Sequence, residues 1–338
     1  MPDKVSYQEA ISLQPKALDS ARATTNAVLD AADLSALRHG VVGIVGIGAS
    51  LYAGVAGAAQ FRQQGRRAVA FAGGELYDGA VDAADAYIAV SASGRSVEPA
   101  RAMQLRPQAP TYGIAKAADT PLAGVVRTMI GTGSGVDSSP NTTSYVGSLL
   151  ALGLIAERVG NPTGYDWARL PGTVDEMLSK SRPAVTRATE LLAGKAALDV
   201  VGAGVANGTA GYVALLAREA ARIVAQSWDT LNFLHGPMEP NDARSGVIVF
   251  GSGREVQLAE DLANFGIPTV LFTPRAVAER KNLVVIETPV LGNGLAEAIV
   301  EAVPGQLLVG ALAEAAGLPQ CIFRYRQTDT KLDVAPSV

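Results

Sequence analysis

The sequence is poor in the residues that build disulfides, metal clusters and nucleic-acid surfaces. Its 338 residues include a single cysteine, Cys321, and two histidines, which excludes an internal disulfide or a cysteine-based metal cluster and leaves little for a zinc site. The formal net charge is −4, and the basic residues form no cluster, which argues against a nucleic-acid partner. We therefore expect no metal, no cofactor and a reducing, cytoplasmic environment.

Long hydrophobic runs are also scarce. The N-terminus lacks the apolar core of a signal peptide. The longest apolar stretch identified, Tyr145 to Ala156, is shorter than the roughly 20 residues that cross a bilayer. We expect a buried helix there and no membrane partner.

What the sequence does contain favours a two-domain α/β protein. It has 36 glycines and 48% hydrophobic residues but only 5% aromatic residues, and its length suits about two domains of roughly 150 residues each. We predict an N-terminal helical segment over residues 1–37, a first domain over 38–165, and a second domain over 166–338 that includes a C-terminal tail.

The stretch from Ser91 to Pro99 has the pattern of an anion-binding turn. It follows the apolar run Ala86 to Val90, a predicted strand, and opens onto a predicted helix from Ser96 to about Leu105. A glycine turn between a strand and a helix directs unpaired N–H groups and the positive end of the helix dipole at one point. The plainer alternative is that serine and glycine merely form a turn and a helix cap.

A second candidate phosphate turn ends the small, β-branched run from Gly40 to Ser50. Its Gly46-x-Gly48 pattern hints at a dinucleotide site, but Leu51 occupies the position of the third glycine of that motif. No acidic residue follows the next predicted strand at the usual distance. A nucleotide cofactor is therefore disfavoured.

The second half of the chain repeats the first. When Gly48 is aligned with Gly204, the Ser-Gly-Arg triplets that begin at Ser93 and Ser252 follow at nearly equal separations, which indicates two copies of one α/β unit. The second copy has Glu255 close to its triplet, and a carboxylate there would repel phosphate. Only the first half is expected to hold an anion.

The second half carries residues suited to acid–base chemistry instead. We predict a helix that is capped by Asn207 and runs through Glu219 to about Val224, followed by His235 in a His-Gly-Pro turn. The simpler alternatives are a solvated helical carboxylate and a histidine that caps a turn.

Taken in order, Gly48-Ala-Ser50, the run Ser91 to Ser96, Glu219 and the His-Gly-Pro at His235 resemble the double SIS (sugar isomerase) domain family over nearly the whole chain. That family includes the isomerase half of glutamine:fructose-6-phosphate amidotransferase and the fructosamine-6-phosphate deglycases. The resemblance implies an α/β fold of two tandem SIS-type α-β-α sandwich domains, each with a parallel sheet flanked by helices.

The resemblance also implies roles for individual residues. Glu219 corresponds to the base that moves a proton between C1 and C2 of an open-chain sugar. His235 corresponds to the histidine that assists ring opening, which relatives supply from the neighbouring subunit, so a homodimer is implied. Lys331 is a candidate for the lysine of a C-terminal motif that closes over the sugar. The implied phosphate-binding residues are Ser50, Ser91, Ser93, Arg95 and Ser96.

The chain departs from the family pattern at Ala49, Ala92 and Arg95, where relatives usually have Thr, Gln and Glu, which suggests an altered substrate. An amidotransferase needs an N-terminal glutaminase with a cysteine nucleophile, which the sequence does not contain. We therefore expect isomerisation, deamination or deglycation of a hexose or amino-sugar phosphate. The alternative is a regulatory protein that binds a sugar phosphate without turnover.

Overall fold

Two five-stranded parallel sheets form the framework of the protein in a computed structural model, which describes residues 5–77, 82–325 and 327–333. The strand order is β2-β1-β3-β4-β5 in the first sheet and β7-β6-β8-β9-β10 in the second. The identical order confirms that the chain repeats one α/β unit. The strands of the first sheet are β1 (Val41–Gly46), β2 (Arg67–Ala72), β3 (Ala86–Val90), β4 (Thr111–Ala115) and β5 (Thr128–Gly131). Those of the second are β6 (Ala197–Gly202), β7 (Val224–Trp228), β8 (Ser245–Phe250), β9 (Thr269–Thr273) and β10 (Leu283–Glu287).

Helices cover the sheets and join the two halves. The predicted fold class, two tandem α-β-α sandwich domains of the SIS type, is confirmed by this arrangement. The predicted domain boundaries stay predictions. The helices are α1 (Tyr7–Ser12), α2 (Gln14–Ala31), α3 (Ala49–Gln63), α4 (Val97–Gln104), α5 (Thr143–Val159), α6 (Leu170–Lys180), α7 (Arg182–Leu192), α8 (Val205–Glu219), α9 (Thr230–Phe233), α10 (Arg254–Asn264) and α11 (Gly294–Ala315).

The central strands are apolar on both faces because helices cover both sides of a parallel sheet. Every residue of β3, β4, β8 and β9 is buried. The edge strands β2 and β7 have exposed positions instead, among them Val69 and Val224. The sequence did not locate β7, because the predicted helix extended to its first residue, Val224.

Helices α3 and α8 pack against each other in opposite directions. Gly211 allows the close approach, because a Cβ placed there would lie 2.1 Å from Cδ1 of Tyr52. Gly48, at the start of α3, faces Leu215 near the end of α8, whereas Gly204 at the start of α8 faces Gln63 at the end of α3. The carboxyl edge of the first sheet therefore lies at the same end of the molecule as the amino edge of the second.

Two expectations about helices are wrong. Asn207 does not cap α8, because Gly204 occupies the cap position and Asn207 lies within the first turn. The helix also ends at Glu219, since Val224 begins strand β7. Gly204, with a φ of 60°, forms the turn between β6 and α8, and no side chain caps the helix.

The longest apolar helix is α11 and not α5, the helix that contains the apolar stretch Tyr145 to Ala156. Helix α11 has 22 residues, and its most apolar 18-residue window has a mean hydropathy of 1.5, so it is long and apolar enough to cross a membrane, but 83% of that window is buried inside the protein. The helix packs against α3, α5, α6, α7 and α8. We interpret α11 as the central helix of the core, shared by both halves.

Candidate functional site

The serine turns predicted from the sequence meet at the carboxyl edge of the first sheet. Strands β1 and β3 are hydrogen-bonded neighbours, with Val45 opposite Ala89, so the turns that follow them lie side by side. Ser50 stands in the first turn of α3, and Ser91 follows β3 directly. Both side chains are largely buried.

Within this turn the hydroxyl groups hold one another in place. Ser91 Oγ donates to Ser96 Oγ at 3.2 Å and accepts from the Ser96 backbone N–H at 3.3 Å. Ser93 Oγ accepts from the backbone N–H of Arg95 at 3.3 Å. Gly94 has a φ of 64°, and a Cβ there would lie 2.3 Å from Thr120 Oγ1. The turn therefore requires glycine, and its serines are fixed before any ligand arrives.

The C-terminal tail enters the same turn. Lys331 forms an isolated antiparallel bridge with Ser96, and its Nζ donates to Ser96 Oγ at 2.9 Å. Burial lowers the pKa of the Lys331 ammonium, Glu98 opposes the shift, and Arg95 adds to it. The structure therefore brings an ammonium group to the serine turn from more than 230 residues away along the chain.

Arg95 contacts the tail and not the serine hydroxyls. Its Nε donates to the Leu332 carbonyl at 2.7 Å, its guanidinium forms an ion pair with Asp333, and its backbone carbonyl accepts from the Leu332 N–H at 2.7 Å. The Arg95 side chain is half exposed. In this structure Arg95 holds the C-terminal tail against the serine turn, whereas the sequence predicts that Arg95 binds phosphate.

Glu219 lies at the end of α8, one helical turn beyond Leu215. Because Leu215 faces Gly48, this end of α8 lies next to the turn that carries Ser50. Burial raises the pKa of the Glu219 carboxyl to about 7. The interaction of Glu219 with Tyr7 places it beside the N-terminal helix α1. A carboxyl group with this pKa exchanges protons readily near neutral pH.

His235 lies at the opposite end of the molecule within one chain. It follows β7 and the short helix α9, at the carboxyl edge of the second sheet, whereas Glu219 precedes β7 at the amino edge. A strand of five residues rises roughly 17 Å, and the His235 side chain is exposed. A single chain thus does not bring His235 to the serine turns.

The second half uses its equivalent turn differently. The Glu255 carboxylate accepts from the Gly253 N–H at 3.1 Å and packs against Gly251. It thereby occupies the position where the first half presents serine hydroxyls. This contact supports the expectation that only the first half receives an anion.

Sequence reasoning did not single out Asp137, in the long polar loop before α5. Its carboxylate accepts from the backbone N–H groups of Ser138, Thr142, Thr143 and Ser144, at 2.9 to 3.1 Å. Asp137 thereby satisfies the N-terminal donors of α5 and fixes the loop. The signal available was an aspartate six residues before the first residue of a helix, inside a run of serines and threonines.

The fold defines a class of protein in which two α/β units, each with a five-stranded parallel sheet, follow one another along the chain. No known protein-family description matches the sequence, and no curated protein matches it. Solved structures do match, and they confirm the resemblance to double SIS domain proteins at the level of the fold.

Three of these structures cover almost the whole chain. The C-terminal domain of glucosamine-fructose-6-phosphate aminotransferase from Francisella tularensis has a TM-score of 0.76 and 17% identity, over 93% of this chain and 97% of that one. Glucosamine-6-phosphate deaminase from Thermotoga maritima has a TM-score of 0.74 and 18% identity, over 93% and 96%. Tagatose-6-phosphate ketose/aldose isomerase from Escherichia coli has a TM-score of 0.74 and 15% identity, over 97% and 99%.

Proposed function

We propose that this protein is an enzyme that binds a hexose phosphate or amino-sugar phosphate and moves a proton between its C1 and C2 carbons. The products are those of isomerisation, deamination or deglycation. The observation that carries the proposal is the position of Glu219: a largely buried carboxyl group with a pKa of about 7, at the end of α8 that lies beside the serine turns. The structural neighbours named for sugar-phosphate isomerisation and deamination support it.

The phosphate of the substrate is assigned to the two neighbouring serine turns, one after β1 that carries Ser50 and one after β3 that carries Ser91, Ser93 and Ser96. Three features favour an anion there: hydroxyl groups that can donate, the positive end of the α3 helix dipole, and the ammonium group of Lys331. A hydrogen bond to a charged group contributes roughly 1.5–3 kcal/mol. A few such bonds hold the far end of the sugar and orient its carbonyl carbon.

Glu219 then acts as the base. Its carboxylate takes the proton from the carbon next to the carbonyl or imine, which leaves an enediolate or the corresponding enolamine anion. A hydroxyl proton of this intermediate moves to the former carbonyl oxygen or imine nitrogen, and Glu219 returns the proton that it took to the neighbouring carbon. No electron is gained or lost and the proton count is conserved. A positioned acid or base contributes about 10²–10⁴ in rate. A pKa near 7 keeps both the proton-accepting and proton-donating forms of Glu219 populated.

His235 is assigned to ring opening in the site of a second subunit. A proton must move at the ring oxygen when a hemiketal opens, and histidine is suited to this near neutral pH. Since His235 and Glu219 lie at opposite ends of one chain, a homodimer is the arrangement that brings them together. We propose a cytoplasmic homodimer whose two sites each use both chains.

The experiment that tests this function measures deuterium incorporation from D₂O at C1 and C2 of a panel of hexose phosphates, hexosamine phosphates and phosphorylated glycated amino acids. Exchange is common to all three reaction types, and product analysis then separates them. We expect exchange with the natural protein, its loss in Glu219→Gln, and no loss in Glu190→Gln, which changes an exposed glutamate on α7. Sugar-phosphate binding without exchange in the natural protein would contradict the enzyme assignment and favour the regulatory alternative.

A further inference from the structure

A separate cavity of about 410 Å³ lies at the carboxyl edge of the second sheet. It opens at the carboxyl ends of the paired strands β6 and β8, where the strand order reverses, and parallel α/β sheets bind ligands at such points. Its walls include Phe250, Glu255, Asn293, Glu297, Glu301 and, from the first half, Gln63. Gln63 and Ser50 are 13 residues apart on α3, so this cavity lies roughly 20 Å from the serine turns.

Glu301 is the residue in this cavity that the fold does not explain. It is 8% exposed, stands in the second turn of α11, and lines the cavity. Among residues 5–77, 82–325 and 327–333, no group donates a hydrogen bond to its carboxyl or forms an ion pair with it. Burying a carboxyl without a partner is costly, and burial, with the charge of Glu297 second, raises the pKa of Glu301 to about 8.

The other two carboxylates at this cavity are already engaged. Glu255 accepts from the Gly253 N–H, and Glu297 accepts from the N–H groups of Leu291 and Gly292 at 2.9 and 3.1 Å. No lysine, arginine or histidine is among the described residues that line the cavity. The cavity is therefore uniformly acidic, and among the described residues Glu301 is the carboxyl group at this cavity that has no hydrogen-bond partner.

We propose that this cavity binds the primary ammonium group of a small amine metabolite, with the Glu301 carboxylate as its counter-ion. An anion would meet three carboxyl groups and no cation. In the described part of the chain, no three acidic, histidine or cysteine groups lie close enough together to hold a metal ion. An ammonium group supplies both the charge and the N–H donors that Glu301 lacks, and the volume accommodates a molecule the size of a diamine or an amino sugar.

The test is titration calorimetry of the natural protein with putrescine, ethanolamine and glucosamine, each against its neutral counterpart, 1,4-butanediol, ethylene glycol and glucose. We expect at least one amine to bind and its counterpart not to bind. Loss of a charge-assisted hydrogen bond in Glu301→Gln should weaken that binding by about tenfold or more. Glu287→Gln, which changes an exposed residue of β10, should leave the affinity unchanged.

A second measurement needs no variant and covers the case in which Glu301→Gln fails to fold. Because Glu301 is largely protonated at pH 7, binding of an ammonium group should release a proton, and the heat should change between buffers of different ionisation enthalpy. The other titratable groups facing Glu301 are Glu255, Glu297 and Tyr145. No binding by any of the three amines, equal binding of a neutral counterpart, or binding without proton release would overturn the proposal.

Discussion

Lys331 Nζ donates a hydrogen bond to Ser96 Oγ at 2.9 Å, so the part of the C-terminal tail that carries Lys331 lies at the turn predicted to bind phosphate. The tail is held there by further contacts, among them the hydrogen bond from Arg95 Nε to the Leu332 carbonyl. The Thr330 carbonyl accepts from the Val97 N–H at 3.4 Å, and the Leu332 N–H donates to the Arg95 carbonyl at 2.7 Å. Arg95 also forms an ion pair with Asp333. The C-terminal tail therefore forms one side of the candidate phosphate site.

Lys331→Gln should weaken the binding of a sugar phosphate by about ten- to a hundredfold, because one charge-assisted hydrogen bond of roughly 1.5–3 kcal/mol is lost. Calorimetric titration of the substrate identified by the exchange assay measures this. Lys281→Gln, at an exposed position before β10, is the matched control and should bind normally. Equal affinities for both variants would remove Lys331 from the site.

Arg95→Ala and Asp333→Ala should each loosen the tail and expose it to proteolysis. The pair is exposed, so its contribution is small, roughly 0–1 kcal/mol. The double variant should be cleaved at about the same rate as Arg95→Ala, because both changes remove the same ion pair between Arg95 and Asp333. If Asp333→Ala leaves substrate affinity intact while Arg95→Ala abolishes it, Arg95 is a phosphate ligand and not a clamp for the tail.

Ser93→Ala should reduce sugar-phosphate affinity about tenfold through the loss of one hydrogen bond to a charged group. Ser252 occupies the equivalent turn of the second half, next to Glu255. The Ser252→Ala variant should therefore retain full affinity. A comparable loss in the two variants would show that the halves share the anion, contrary to the role assigned to Glu255.

Glu219→Gln should stabilise the protein at neutral and higher pH. The pKa of Glu219 is about 7 in the folded chain, above its ordinary value of about 4.3, so the unfolded chain binds fewer protons between these values and stability falls as pH rises. The penalty is absent below pH 4, grows up to about pH 7, and reaches roughly 1–3 kcal/mol. Urea unfolding of both proteins across this pH range measures the difference, and a constant difference would contradict the assigned pKa.

An equal mixture of Glu219→Gln and His235→Ala chains should regain about one quarter of the natural activity after subunit exchange. Half of the dimers are then mixed, and each mixed dimer has one intact site if a site takes Glu219 from one chain and His235 from the other. Each variant alone should remain inactive. Activity no higher than that of the separate variants would place both residues in the same subunit's site.

The sequence located strand β3 because Ala86 to Val90 is a short apolar run bounded by a polar turn. It also revealed the repeat, since Ser93 and Ser252 follow equivalent glycines at similar distances. The sequence predicts that Asn207 caps α8, because asparagine is a common helix-capping residue. In the structure Gly204 occupies the cap position instead. The sequence does not indicate the full length of α11, because Pro304 and scattered glutamates interrupt its apolar pattern.

The sequence by itself determined the two-fold α/β repeat, the serine-rich turn and its restriction to the first half, because these follow from local patterns of burial and charge. Only the tertiary structure decided which distant groups meet. The opposed packing of α3 and α8 brings the end carrying Glu219 to the serine turns and sends His235 to the far end. The return of the tail brings Lys331 to Ser96. The direction in which two helices pack depends on how side chains such as Tyr52 fit against glycines such as Gly211, and a linear pattern does not contain that fit.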